Sequence, residues 1–180
     1  MFKHILVAID QSTSSQRAFE AALGLAEDIG AQLTLVHALD VFDSASPERP
    51  HLSADSYSMK LDKLLQENYE RQWAEFVEHH DSWLKEQQAK AEAVGVAANC
   101  LQPYGRPGPS ICKTARSSHA DLIVVGSHGR KGFREMLLGS VSNYIMHHAS
   151  CSVLVTHPDI HHNQDLIQEA AELNPMEMLT

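Results

Sequence analysis

An apolar run, Leu122-Ile123-Val124-Val125, ends in Gly126-Ser127-His128-Gly129, and after a nine-residue spacer stands Gly139-Ser140. Four consecutive aliphatic side chains bounded by glycine read as a strand buried on both faces, which in practice means a parallel strand lying under helices. Beyond Ser140, Val141, Tyr144, Ile145 and His148 recur at helical spacing. A strand that runs into a glycine loop and then opens a helix at Gly-Ser turns backbone N–H groups and a helix N-terminus toward one point, which suits an anion. Gly126 and Gly129 permit positive φ and let a bulky ligand approach the main chain. Ser140, at the helix start, is placed to cap the helix or to bond a phosphate oxygen. The plainer alternative is that Gly126 and Gly129 only shape a turn and Gly139 only caps the helix.

The rest of the chain supplies matching units. A strand at Ile5–Ile9 is broken by the polar run Asp10–Ser15, and the helix that follows, carrying Ala18, Phe19, Ala22, Leu23, Ala26 and Ile29, is ended by Gly30. A second strand covers Leu33–Ala38, and the Ser, Pro and Asp content of Asp43–Asp55 reads as an exposed loop. A long helix is predicted from about Ser56 to Ala93, with a core-facing stripe from Leu61 through Leu64, Leu65, Trp73, Phe76 and His80 to Leu84. Its first turns have three options: this domain, a partner subunit, or no partner at all. A strand at Val96–Leu101, a Pro- and Gly-rich loop at Gln102–Pro109, a helix around Ile111 and Ala115, and a last strand at Ser152–Thr156 complete the pattern. Asp10 therefore lies at the carboxyl end of a central strand, where open α/β sheets bind ligands; its alternative role is a helix cap. His37 is expected to face a neighbouring strand or helix. His79 and His80, being adjacent on a helix, diverge and do not make a metal pair. Lys113-Thr114 follows Cys112 rather than glycine, so no P-loop is formed there.

Composition narrows the partners. A chain of 180 residues is one domain long enough to bury a core, and 43% apolar with 21% charged residues is globular usage. The net charge of −9 argues against nucleic-acid and anionic-membrane surfaces, so a phosphate site has to be local and built largely from backbone. With 12 histidines and a pI near 5.7, the charge moves through zero about a unit below neutrality. The run Ile5–Ile9 stops at Asp10, far short of a signal peptide or a membrane span. Three cysteines without a C-x-x-C pair indicate neither a disulfide framework nor a zinc site, and the expected location is the reducing cytoplasm. His157, His161 and His162 flank Pro158 with no secure helix, so no metal site made by protein ligands alone is expected.

The spacing G-x-x-G-x(9)-G-S after a buried strand resembles the nucleotide-binding motif of the universal stress protein family, in its single-domain, ATP-binding form, and the likeness extends over residues 1–157. It implies an α/β fold: an open five-stranded parallel sheet in the order 3-2-1-4-5, helices on both faces, and a ligand at the split between strands 1 and 4. Residues 1–157 then form one nucleotide-binding domain with a loop and long helix inserted around 43–94, and 158–180 form an acidic C-terminal extension. The resemblance assigns the pocket to Ala8, Ile9, Asp10, Ala38, Gly126, His128, Gly129, Gly139, Ser140, Val141 and Ser142, with the Ala38 backbone against the adenine edge. Arg106, in a loop where Gly105 and Pro107 fit the family, and Arg130, beside Lys131 and Arg134, are candidate phosphate contacts; solvated loop cations are the alternative. The implied ligand is ATP or another adenine nucleotide, with Mg²⁺. The implied role is regulatory, in stress response, through an unidentified protein partner, as a homodimer joined at Ser152–Thr156. Two departures are Gln11, where many members have glycine and where a side chain narrows the pocket, and Ser152, where proline is usual. The rival functions are a nucleotide hydrolase on a related scaffold, whose Ser-Gly-Gly loop is missing from Asp10–Ser15, and an interaction module with a vestigial pocket. At most slow ATP hydrolysis is expected.

Overall fold

In the computed structural model, residues 1–50, 59–127 and 138–157 are described. They form, in chain order, β1 (His4–Ala8), α1 (Thr13–Ile29), β2 (Gln32–Val36), α2 (Met59–Ala93), β3 (Ala98–Leu101), α3 (Pro107–Ser117), β4 (Leu122–Gly126), α4 (Ser140–His148) and β5 (Ser152–Thr156). The strands make one sheet in the order β3-β2-β1-β4-β5, and every neighbouring pair is parallel.

The alternation of side chains along the central strands explains the two-layered cover. Ile5, Val7, Leu122 and Val124 point to one face, where Ala18, Phe19, Ala22 and Ala26 of α1 and Leu84 and Ala91 of α2 bury them. Leu6, Ala8, Ile123 and Val125 point to the other, under Ile111, Cys112 and Ala115 of α3 and Ile145 of α4. Because β1 and β4 are covered on both faces, they carry unbroken apolar runs rather than an apolar–polar alternation. The ends of α1 are fixed locally. The Ser12 hydroxyl caps its start by accepting from Ser15 N–H at 3.2 Å, and Gly30, at φ 68°, closes its end in the left-handed region.

Two expectations shift. The helix α3 begins at Pro107, inside the stretch read as a loop. Prolines at 107 and 109 fall in the first helical turn, where the N–H they lack has no intrahelical partner anyway. The stripe on α2 faces the core only in its second half: His80, Leu84, Gln87 and Ala91 are buried, whereas Leu61 and Leu64 are 55% and 61% exposed. The cause is length. At 35 residues the helix runs about 52 Å, while a five-residue strand spans about 17 Å, so α2 overshoots the sheet. Among the described residues, no helix is long and apolar enough to cross a membrane.

Candidate functional site

The chain order reverses between β1 and β4, the switch point at which open α/β sheets leave a crevice beyond the carboxyl ends of their strands. Ala8 is in register with Val36 on one side and Val125 on the other. Asp10, Ala38 and Ser127 therefore leave their three strands at a common level. Ala8 and Ile9 are 6% and 5% exposed, so only their backbone can face the crevice.

Asp10 organises the turn into α1. Its Oδ1 accepts from the Ser12 N–H at 2.9 Å and from the Ser12 hydroxyl at 2.5 Å, while the Ser15 hydroxyl donates to the Asp10 carbonyl at 2.9 Å. The carboxylate thus holds the capping serine rather than capping the helix itself. Gln11 is exposed and reaches toward α2, its amide 3.4 Å from His79 Nε2.

The strand β2 ends in an interrupted ladder. The Ile9 N–H donates to the Val36 carbonyl at 2.9 Å, and a continued parallel ladder would next bring the Ala38 N–H to the Ile9 carbonyl. That carbonyl instead accepts from His37 Nδ1–H at 3.0 Å. Among the described residues, Ala38 makes no backbone–backbone hydrogen bond, which leaves its peptide groups at the crevice edge. The His37 ring, 4% exposed, stacks on His80 of α2 with centroids 4.5 Å apart and planes 5° from parallel. His80 in turn donates from Nδ1 to the Phe76 carbonyl at 2.8 Å. From there Phe76, Trp73 and Tyr104 continue a line of ring contacts toward the loop before α3. The spacing of Trp73, Phe76 and His80 was visible in the sequence as one helical face; their contacts with His37 and Tyr104 join distant segments and left no sequence signal.

On the β4 side, Gly126 has no positive φ. A Cβ there would lie 2.8 Å from the Ser14 carbonyl oxygen, so the glycine admits the first turn of α1 against the strand end. Ser127 follows, fully buried. Its N–H donates to the Thr156 carbonyl at 2.8 Å, and its carbonyl accepts from Gly139 N–H at 2.6 Å and from the Ser142 hydroxyl at 3.0 Å. The chain therefore leaves β4 and returns to α4 at one carbonyl. Gly139 is the N-cap residue, and no side chain caps α4; Ser140, expected as a possible cap, is instead the first helical residue and exposed. Val141 is half-buried, and Ser142, 1% exposed, is committed to the Ser127 tie. The N–H groups of residues 140–142 belong to the first helical turn, which has no intrahelical acceptor for them. His128, Gly129 and Arg130, with Lys131 and Arg134, lie outside the described residues.

Arg106 is the N-cap residue of α3, its guanidinium 6.0 Å from the centre of the exposed Phe42 ring. The three cysteines are free thiols. Burial, reinforced by Asp81 and opposed by Lys85, pushes the Cys100 thiol up to about 11, and burial also raises Cys112 and Cys151. Such thiols are poor nucleophiles. No group of three or more His, Cys, Asp or Glu side chains placed to hold a metal ion occurs among the described residues.

The Universal stress protein family model matches residues 1–157. Universal stress protein YxiE of Bacillus subtilis is 34% identical over 157 residues, covering 86% of this chain and 99% of the relative. The solved universal stress protein UspA from Lactobacillus plantarum superposes with a TM-score of 0.65 at 28% identity, over 86% of this chain and 97% of that one. Two structures below 25% identity share the fold. One is a universal stress protein in complex with cAMP, with a TM-score of 0.56 at 22% identity over 87% of this chain and 97% of that one. The other is a universal stress protein family protein from Arabidopsis thaliana with AMP bound, with a TM-score of 0.53 at 21% identity over 89% and 94%.

Proposed function

This chain belongs to the universal stress protein family, and on that premise we propose that it binds an adenine nucleotide, ATP carried with Mg²⁺, in the crevice between β1 and β4, and acts in stress response by presenting a nucleotide-dependent surface to a protein partner. The observation that carries this reading is the tie at Ser127, which brings the end of β4 and the N-terminus of α4 to one point beside Asp10. Backbone N–H groups and a helix N-terminus gathered in this way favour the negative charge of phosphates. The cAMP- and AMP-bound proteins of the same fold support an adenine nucleotide as the ligand class.

In this reading the Ala38 peptide meets the base edge, Ala8 and Ile9 contribute backbone, Asp10 lies in the pocket, and Gly126, His128, Gly129, Gly139, Ser140, Val141 and Ser142 surround the ribose and phosphates. Arg106 and Arg130 supply positive charge at the mouth. The single carboxylate at the end of β1, whose Oδ1 accepts from Ser12, suits a Mg²⁺ held chiefly by phosphate oxygens and water rather than by a protein cage. Residues 1–157 make up the nucleotide-binding domain and 158–180 an appended segment. The edge strand β5, where Leu154 is 39% exposed, pairs with its twin in a homodimer, and the protein works in the cytoplasm.

Nucleotide released from the freshly purified protein and identified by mass spectrometry is expected to be ATP in near-stoichiometric amount. In a titration calorimeter, Gly129→Val should weaken ATP binding at least tenfold, about 1.4 kcal/mol. A purified chain that carries no adenine nucleotide and gives no ATP isotherm would reject the proposal.

A further inference from the structure

We propose that His37 is a positioning residue for the nucleotide site: its side chain occupies the Ile9 carbonyl that the sheet would otherwise give to Ala38, and so keeps the Ala38 peptide open to a ligand. This role rests on the nucleotide reading above, in which that peptide meets the base. Along a strand the main chain turns its N–H groups first to one neighbour and then to the other. The His37 N–H donates to the Leu101 carbonyl at 3.1 Å and the Leu39 N–H to the Pro103 carbonyl at 2.9 Å, both on the β3 side. The N–H and carbonyl of Ala38 therefore face the other way, toward β1. The Ile9 N–H donates to the Val36 carbonyl, so the next rung of a parallel ladder runs from the Ala38 N–H to the Ile9 carbonyl. Ile9 is buried, and a carbonyl so placed has to find a donor in the protein. The donor it finds is His37 Nδ1–H, at 3.0 Å. The rung after that, from the Gln11 N–H to the Ala38 carbonyl, is lost as well, because the turn that Asp10 makes with Ser12 carries Gln11 off toward α2.

The ring is held for this task from the α2 side. Donation to a carbonyl requires the proton on Nδ1, and the plane of the imidazole decides where that proton points. His80 lies flat against the ring, and Trp83 meets it edge-on with centroids 6.0 Å apart and planes 78° from parallel. His80 is itself fixed to its own helix through the Phe76 carbonyl. The long helix thus sets the orientation of a side chain whose hydrogen bond lies in the sheet, at the edge where the crevice begins. The other role open to His37, a buried ring that only packs against α2, needs the ring and not the donor. Two substitutions separate the roles. His37→Asn puts an amide N–H as many bonds from the main chain as Nδ1 and removes the ring, whereas His37→Phe keeps a ring against His80 and removes the donor.

Amide exchange, followed by NMR on the full chain without ligand, reads the ladder directly. The Ala38 N–H is expected to exchange freely in the parent and in His37→Asn, and to be protected about tenfold or more in His37→Phe, where it closes on the Ile9 carbonyl. In a titration calorimeter, ATP should bind His37→Asn within about threefold of the parent and His37→Phe about tenfold or more weakly, whichever of the two variants has the lower urea midpoint. His37→Leu, smaller and also without a donor, should repeat the His37→Phe result and stands in for it if the larger ring does not fold. An Ala38 N–H already protected in the parent overturns the assignment, as does one that stays unprotected in both donorless variants, or an ATP affinity that follows the ring rather than the donor. The exchange measurement needs no ligand, so failure of the nucleotide reading, seen as a parent that gives no ATP isotherm, is told apart from failure of the role given to His37.

Discussion

A methyl group added at Gly126 would stand 2.8 Å from the Ser14 carbonyl oxygen, a backbone atom that cannot swing aside. Gly126→Ala is expected to lower stability by about 1–3 kcal/mol, the usual penalty for overpacking, seen as a lower urea midpoint at unchanged slope. The need for glycine here was legible in the sequence, but its cause was not. Positive φ was the expected reason, whereas the structure shows an approach between α1 and β4, segments that the sequence does not show side by side. Asp10 repeats the lesson: its place at a strand end was readable from the apolar run before it, and its grip on Ser12 was not. Cys100 carries a prediction of the opposite kind, in which nothing reacts. With its thiol pushed up to about 11 from an ordinary value near 9, it should resist iodoacetamide at pH 8. Between those two values the unfolded chain releases a proton that the folded chain keeps, so this residue's contribution to stability is full below pH 9 and falls as pH rises toward 11. Denaturation at pH 8 and pH 10.5 should show a smaller loss in Cys100→Ala than in the parent.

At the scale of elements, β1 and β4 were the most readable strands, because each is a short apolar run closed by polar or glycine residues and burial on both faces demands that pattern; the edge strands β3 and β5 are only partly buried. The helices were less readable. Periodicity in α2 announces a helix and a stripe, but not how far along the stripe a neighbour continues to cover it. That depends on the length of the sheet. The two halves should answer differently to truncation: Leu84→Ala, in the covered half and fully buried, should cost about 2–5 kcal/mol, and Leu64→Ala, in the overhang, within about 0.5 kcal/mol in thermal or urea unfolding at protein concentrations below association. The start of α3 was hidden for a different reason, since Pro107-Gly108-Pro109 reads as a turn by composition. Gly108 is required there because a Cβ would come within 2.7 Å of the Tyr144 ring of α4, a contact that lets the two helices share one face of the sheet.

For the whole molecule, the alternation of strands and helices points to a parallel sheet, whereas its strand order, and with it the level at which Asp10, Ala38 and Ser127 emerge, was within reach only through the resemblance to the family. The stack of His37 on His80 was not within reach, because it joins β2 to α2 across residues that no local pattern relates. The tie at Ser127 has one more consequence, best put as a matter of chain length. Bringing the ends of a loop together costs an entropy that grows only with the logarithm of its length, about 0.6 kcal/mol for each doubling. Here the ends, Ser127 and Gly139, are already joined by hydrogen bonds that involve none of the residues between them. The sheet end and the start of α4 are therefore held by bonds of their own, and the length of chain between them enters the cost of joining the two only through that logarithm.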